Sequence, residues 1–330
     1  MSLREADIRP ADLLAEYLRL NEADGKALLT GSGEMQQRAC PGCGDDTPVP
    51  AFDKNGFKLV RCGGCDTLYV NPVPSAGSLA AFYRHSQSSD YWAKVFFPAV
   101  AEARRQPIYR PRAERVAAYA GKPARLIDVG AGTGLFLEEF HALSPDVSIG
   151  AVEPGSAHAV QLREKNVETF EGFADEAAAD PAWAGVADVV TCFEVLEHVS
   201  DPAALFQDLA ALARPGGLLI VSGLSGSGFD IRTLGVLSKP VSPPHHLTFL
   251  SIAGAESLLR RCRLDRIDIS TPGELDVDIV RNAALQNPEV LRDPDVRQLI
   301  LEADDAARRD FQEGLKVSRQ SSHMWIVARS

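Results

Sequence analysis

Leu126-Ile127-Asp128-Val129-Gly130-Ala131-Gly132-Thr133-Gly134 constrains this chain most: short apolar residues run into three glycines within five positions, and helix-compatible sequence, Leu135 to Phe140, comes immediately after. The pattern reads as a buried strand, a tight turn and a helix start. Glycine lets the backbone approach a ligand where a Cβ would collide, and the first amides of the ensuing helix point at whatever lies over the turn. A small polar cofactor is the expected occupant. Dinucleotide sites use G-x-G-x-x-G, whereas this turn brings its last glycine one residue early and has Leu at position 135, so that fingerprint is not met.

Beyond the turn, periodicity sets the fold class. Strand patterns over 125 to 129, 147 to 152, 167 to 170, 187 to 193, 217 to 222 and 264 to 270 alternate with helical stretches, the signature of a parallel sheet covered on both faces. Ligands in such sheets bind at the carboxyl ends of strands, where the glycine turn lies. Glu153 ends the second strand pattern, and a carboxylate there can accept both hydroxyls of a ribose; a solvent-exposed loop acid is the plainer alternative.

Ahead of this region stand Cys40-Pro41-Gly42-Cys43 and Cys62-Gly63-Gly64-Cys65, with 18 residues between the pairs. That spacing fits a four-cysteine zinc ribbon, and four thiolates close a tetrahedral shell, so the metal is expected to be structural. Phe57 to Arg61 reads as a ribbon strand. Residues 10 to 30 read as a packing helix ended by a Thr30-Gly31-Ser32-Gly33 linker, residues 78 to 120 as a mostly helical, aromatic-rich connector, and residues 275 to 316 as charged helices broken at Pro288 and Pro294. The expected division is a helix and linker over 1 to 38, the ribbon over 39 to 74, the connector over 75 to 120 and the α/β domain over 121 to 330.

With a formal net charge of −11, the chain lacks the clustered cations that a phosphate backbone requires, so nucleic acid is not an expected partner. No apolar run is long enough to span a bilayer, and the acidic N-terminus is unlike a signal peptide; a cytoplasmic protein is expected.

Together, Ile127 to Gly134, Val152-Glu153-Pro154, Asp188 to Val199 and Arg214-Pro215-Gly216-Gly217-Leu218-Leu219-Ile220 resemble the four landmark motifs of class I S-adenosylmethionine-dependent methyltransferases, in order and over roughly residues 115 to 270. The resemblance implies a Rossmann-like seven-stranded methyltransferase sheet whose last strand, supplied by Trp325 to Ala328, is antiparallel. It also implies S-adenosylmethionine as cofactor. Asp128 and Gly130, Ala131, Gly132, Thr133 and Gly134 would hold the methionine end, Glu153 the ribose, and Phe173 and Ala174 the adenine, with Pro154 also at the cofactor, Cys192 and Phe193 near the sulfonium and Cys192 serving as packing.

The ribbon ahead of such a domain resembles sugar C-methyltransferases acting on nucleotide-linked deoxysugars, and similar ribbon methyltransferases of polysaccharide gene clusters. That likeness implies a role for His198, after the fourth strand, and for His246, in Pro243-Pro244-His245-His246-Leu247-Thr248-Phe249; His245 stands where the family has Glu. Histidine titrates near neutrality and suits a general base, so His198, His245 and His246 are the candidate catalytic residues. The expected function is methylation, on oxygen or carbon, of a sugar-like or other small metabolite. A protein methyltransferase reading its target through the ribbon, and a non-catalytic cofactor-binding scaffold, are the alternatives.

Overall fold

The computed structural model describes residues 3 to 31 and 34 to 330. Ser32 and Gly33 of the expected linker, and Met1 and Ser2, lie outside the described residues. The chain forms two compact units. One comprises Met1–Val100, Leu224–Ala255 and Ser270–Met324, the other Ala101–Gly223, Glu256–Ile269 and Trp325–Ser330. The two units are interleaved along the chain.

In the second unit, Arg125–Val129, Ser148–Val152, Glu168–Phe170 and Ala187–Phe193 are the strands expected from the apolar pattern. They belong to a seven-stranded sheet whose spatial order is Asp265–Ser270, His323–Arg329, Ala213–Leu224, Ala187–Phe193, Arg125–Val129, Ser148–Val152, Glu168–Phe170. The strands from Ala213 to Glu168 pair in parallel, for example Val129 with Val152 and with Cys192. The last strand is antiparallel to its neighbour: Ser330 bonds to Gly217 at one end, while Ser225 bonds to Ser322 at the other. The order reverses between Arg125–Val129 and Ala187–Phe193, the crevice where an open α/β sheet receives its ligand. Buried Leu126, Phe136, Phe140, Val189, Ile220 and Trp325 form the core between sheet and helices.

The first unit is organised on the ribbon. Pro48–Lys54, Phe57–Cys62 and Leu68–Val70 form an antiparallel sheet, and a fourth strand, Thr248–Phe249, comes from far along the chain to pair with Tyr69 and Leu68. Phe57, Leu59, Leu68 and Val70 are buried against Leu224, Ile231, Val241, Leu247 and Phe249, so the ribbon shares one apolar core with the segment beyond the fifth parallel strand. Burying that surface is what draws residues 224 to 255 to the ribbon. The helix expected near the N-terminus spans Ala11–Thr30, and the C-terminal helices are Asp276–Gln286, Pro294–Leu301 and Asp305–Val317. Pro294 opens its helix, where its missing N–H costs nothing, with Asp293 capping Asp295 N and Val296 N.

Candidate functional site

The glycine turn stands at the carboxyl end of Arg125–Val129. Gly130, Gly132 and Gly134 have φ of 73°, 54° and 80°, the left-handed region that favours glycine. A Cβ at Gly130 would lie 2.5 Å from Val195 Cγ2, and one at Gly134 2.7 Å from Leu162 Cδ2. Nothing lies within 4 Å of a Cβ built on Gly132, so this glycine borders open space. Leu135–Leu143 is the helix that leaves the turn.

Two carboxylates frame the turn. Glu153, 6% exposed, accepts the amide of Gly132 through Oε2 and that of Gly155 through Oε1, each at 2.8 Å. Each carboxylate oxygen has two lone pairs, so two further hydroxyls can bond there. Asp128 is buried and accepts the Thr191 hydroxyl at 2.7 Å. Burial pushes its carboxyl up to about 7, against the opposing pull of Thr191 and Arg112.

Phe173 is 59% exposed, directly after Gly172, whose amide bonds to Glu153 O at 3.2 Å. It offers an open aromatic face beside the Glu153 loop, ahead of Ala174. Cys192 is fully buried, and desolvation with nearby carboxylates raises its thiol well above the ordinary range; it remains a thiol. Phe193 packs edge-on against Phe136 at 4.8 Å.

Two residues here are not among the site residues expected from the sequence. Arg112, 7% exposed on the helix Arg110–Ala120, holds its guanidinium 4.5 Å from the Phe193 ring centroid and pairs with Glu194 at 3.2 Å. Glu194 has φ 55° and also accepts the Ser222 hydroxyl at 2.6 Å. A non-glycine residue at positive φ after a strand end stores backbone strain, a mark of functional sites. Arg112 is the buried cation of this unit's site, suited to an anionic group.

His198 lies in the turn after Ala187–Phe193, its amide bonded to Val195 O at 2.9 Å, and is half-buried. Val195 touches the glycine turn at Gly130. The helix after this turn begins at Pro202, where Asp201 caps the amides of Ala203 and Ala204.

His245 and His246 belong to the other unit. Their loop is tied to the ribbon: Leu247 O accepts from Val70 N and from Arg38 Nη2, at 2.9 and 2.8 Å. Asn21 Nδ2 bonds to Ser242 Oγ, and Asn55 Nδ2 to Pro243 O. His246 turns Nδ1 to Pro240 O at 2.5 Å. A carbonyl only accepts, so Nδ1 carries a proton, and in the neutral imidazole the lone pair is then on Nε2, the form a general base needs. His245 is 4% exposed, and burial holds its imidazole down at about 3, hence neutral.

The ribbon cysteines converge as expected. Cys40 and Cys65 sulfurs are 3.5 Å apart, those of Cys43 and Cys62 3.4 Å, and all four lie within 4.8 Å of one another. Tetrahedral zinc at about 2.3 Å from each thiolate requires sulfurs roughly 3.8 Å apart. The donor set therefore suits such an ion.

Residues 101–262 match the family described as methyltransferase domain. A ubiquinone biosynthesis O-methyltransferase of Xanthomonas campestris pv. campestris is 32% identical over 171 residues, 48% of this chain and 70% of that protein. One from Acinetobacter baumannii is 31% identical over 185 residues, 54% of this chain and 69% of its own length. The crystal structure of a SAM-dependent methyltransferase from Archaeoglobus fulgidus matches with 16% identity and a TM-score of 0.47, over 68% of this chain and 94% of that one. This chain belongs to the S-adenosylmethionine-dependent methyltransferases. It is an enzyme, and its glycine turn stands on a seven-stranded sheet.

Proposed function

We propose that the enzyme methylates a hydroxyl of a small metabolite, a sugar-like one included, with histidine as the proton acceptor. The observation that carries the cofactor side is Glu153, whose two oxygens are fixed by Gly132 and Gly155. When bound, S-adenosylmethionine supplies a methyl carbon on a sulfonium, open to in-line displacement. Glu153 and Pro154 hold the ribose in this reading, Phe173 and Ala174 flank adenine, and Asp128 with residues 130 to 134 receives the methionine amine. Arg112 faces the carboxylate of the same ligand, as a buried guanidinium suits an anion. Cys192 and Phe193 wall the sulfonium end with apolar surface.

A hydroxyl is a weak nucleophile until its proton is taken, and general-base catalysis contributes about 100- to 10,000-fold. His198, in the turn that packs on the glycine turn, is the first base in this reading. The His245-His246 loop serves turnover as well, through the Nε2 lone pair of His246. Relatives that carry O-methyltransferase names favour oxygen over carbon as the acceptor atom. The ribbon is read as a zinc-held scaffold for the histidine loop; this disfavours a protein acceptor read by the ribbon, because Thr248–Phe249 of the same chain pairs with its strand Leu68–Val70.

Methyl-labelled cofactor offered with a nucleotide-linked sugar, a dihydroxylated aromatic and an unrelated protein tests the reading. Label is expected in a small molecule, with turnover lost in His198→Ala or His246→Ala and cofactor affinity kept. Label in the protein alone, or unchanged kcat in both variants, overturns it.

A further inference from the structure

Asp24, Ser88 and His245 form a chain of hydrogen bonds in the ribbon-bearing unit, running from half-buried Asp24 to buried Ser88 and His245. Ser88 N donates to Asp24 Oδ2 at 2.8 Å, and Ser88 Oγ donates to the same oxygen at 2.6 Å. On its other side Ser88 Oγ meets His245 Nε2 at 2.9 Å. Ser88 is fully buried, and His245 is 4% exposed.

These partners fix the proton positions. A hydroxyl has one hydrogen, and that of Ser88 is committed to Asp24, so Ser88 Oγ can only accept from His245. His245 therefore carries its proton on Nε2 and its lone pair on Nδ1. Its neighbour His246, facing Pro240 O through Nδ1, holds the opposite tautomer. Nucleophilic use of Ser88 is disfavoured by the same geometry: the carboxylate sits on the serine rather than behind the imidazole, and the hydroxyl is fully buried.

The rest of the cage holds the imidazole in place. Phe82 packs edge-on at 4.8 Å between ring centroids, Tyr83 at 5.6 Å and Tyr17 at 5.8 Å. The Tyr83 hydroxyl also donates to His245 O at 3.3 Å. His245 is thus gripped at its ring and its main chain, one bond before His246. An imidazole this deep in aromatic surface stays neutral.

We propose that Asp24 and Ser88 are positioning residues, which fix the tautomer of His245 and thereby seat the His245-His246 loop for turnover. The proposal rests on the reading that this loop serves methyl transfer. Asp24, on the helix Ala11–Thr30, and Ser88, on the short helix Gln87–Tyr91, thereby give the N-terminal helices a part in the reaction. A hydrogen-bonded anchor is needed because a small displacement of a reacting group costs rate: about 1 Å of misplacement is worth roughly 100-fold.

The test uses the full chain with histidine labelled in its ring nitrogens. The spectrum of the free enzyme reports the tautomer of each imidazole, with His245 assigned through His245→Gln. Wild type is expected to show His245 protonated on Nε2; Ser88→Ala and Asp24→Asn are expected to change that state, and Ser88→Thr, which keeps the hydroxyl, to retain it. In turnover, Ser88→Ala is expected to lose about tenfold or more in kcat with KM for the cofactor unchanged, and Ser88→Thr to recover most of it. If Ser88→Ala does not fold, the isosteric Asp24→Asn and the conservative Ser88→Thr carry the comparison. An unaltered tautomer, or an altered one with wild-type kcat, overturns the relay. Loss of turnover in His246→Ala beside full turnover in Ser88→Ala sinks the relay alone, whereas full turnover in both sinks the reading of the loop itself.

Discussion

Replacing Glu153 by alanine should weaken cofactor binding far more than it weakens the fold. Each Glu153 oxygen already accepts one amide, from Gly132 or Gly155, and keeps one lone pair for a ribose hydroxyl. A hydrogen bond to a charged group contributes roughly 1.5–3 kcal/mol. Two such bonds, partly replaced by water in the variant, give a loss of about 3 kcal/mol, close to 100-fold in Kd. Titration calorimetry with S-adenosylhomocysteine reads this directly, with a thermal melt to verify folding. The substitution also releases the amides of Gly132 and Gly155, so the ribose contact has to be separated from a relaxed turn. A ligand lacking one ribose hydroxyl does this: it should bind wild type less tightly than the parent ligand, yet bind Glu153→Ala about equally with it. A folded variant with wild-type Kd, or one that still distinguishes the deoxy ligand by the same ratio, would refute the ribose assignment.

Asp128 yields a pH prediction. Its carboxyl, ordinarily near 3.8, titrates at about 7 when folded, so between these values the folded chain holds a proton that the unfolded chain has lost. The stability this proton contributes is complete below about pH 4 and falls as pH rises through 7, by up to about 1.4 kcal/mol per pH unit. Asp128→Asn should flatten that decline in urea melts at pH 5 and pH 7; an equally steep decline in the variant contradicts the assignment. A cofactor amine placed beside Asp128 favours its charged form, so binding near pH 7 should release a proton, seen as a difference in apparent enthalpy between buffers of unequal ionisation heat; Asp128→Asn should lose the difference. Stripping the ribbon with a strong chelator should release one zinc per chain and lower the melting temperature, because closed four-thiolate sites contribute folding energy outright. Hydrogen exchange at Val70 and Thr248 should rise in the stripped protein; unchanged protection there would show that the ribbon does not depend on a metal.

The α/β part was legible because its signals are local. A parallel sheet buried on both faces must write apolar runs into the chain, and those runs mark the observed strands to within a few residues. Positive φ at Gly130, Gly132 and Gly134 requires what the sequence displays openly, the absence of a Cβ. Cysteine spacing announced the ribbon for a similar reason, since a shared tetrahedral ion would restrict it. The long-range associations were not legible. Thr248 and Phe249 look like the tail of a loop, and only pairing with Tyr69 and Leu68 makes them a strand. Arg112 reads as one more basic residue of a helix until Glu194 and Phe193 surround it. His245 illustrates the limit most plainly: its identity suggests a base, yet aromatic neighbours and Ser88 determine its proton, and those partners are brought from distant parts of the sequence.

The pairing of Thr248–Phe249 with Leu68–Val70 has a consequence for biosynthesis. The two partners are separated by roughly 180 residues, and at about 5–20 residues per second the ribosome needs on the order of 10–40 s to deliver the second after the first. Throughout that interval the nascent ribbon presents the unpaired flank of Leu68–Val70 and the apolar face of Phe57 and Leu59, features that invite association with neighbouring chains. Early capture of a metal ion by the two cysteine pairs would hold the hairpin in register during the wait. Expression under zinc limitation should therefore send more of this protein into aggregates than its finished stability would suggest.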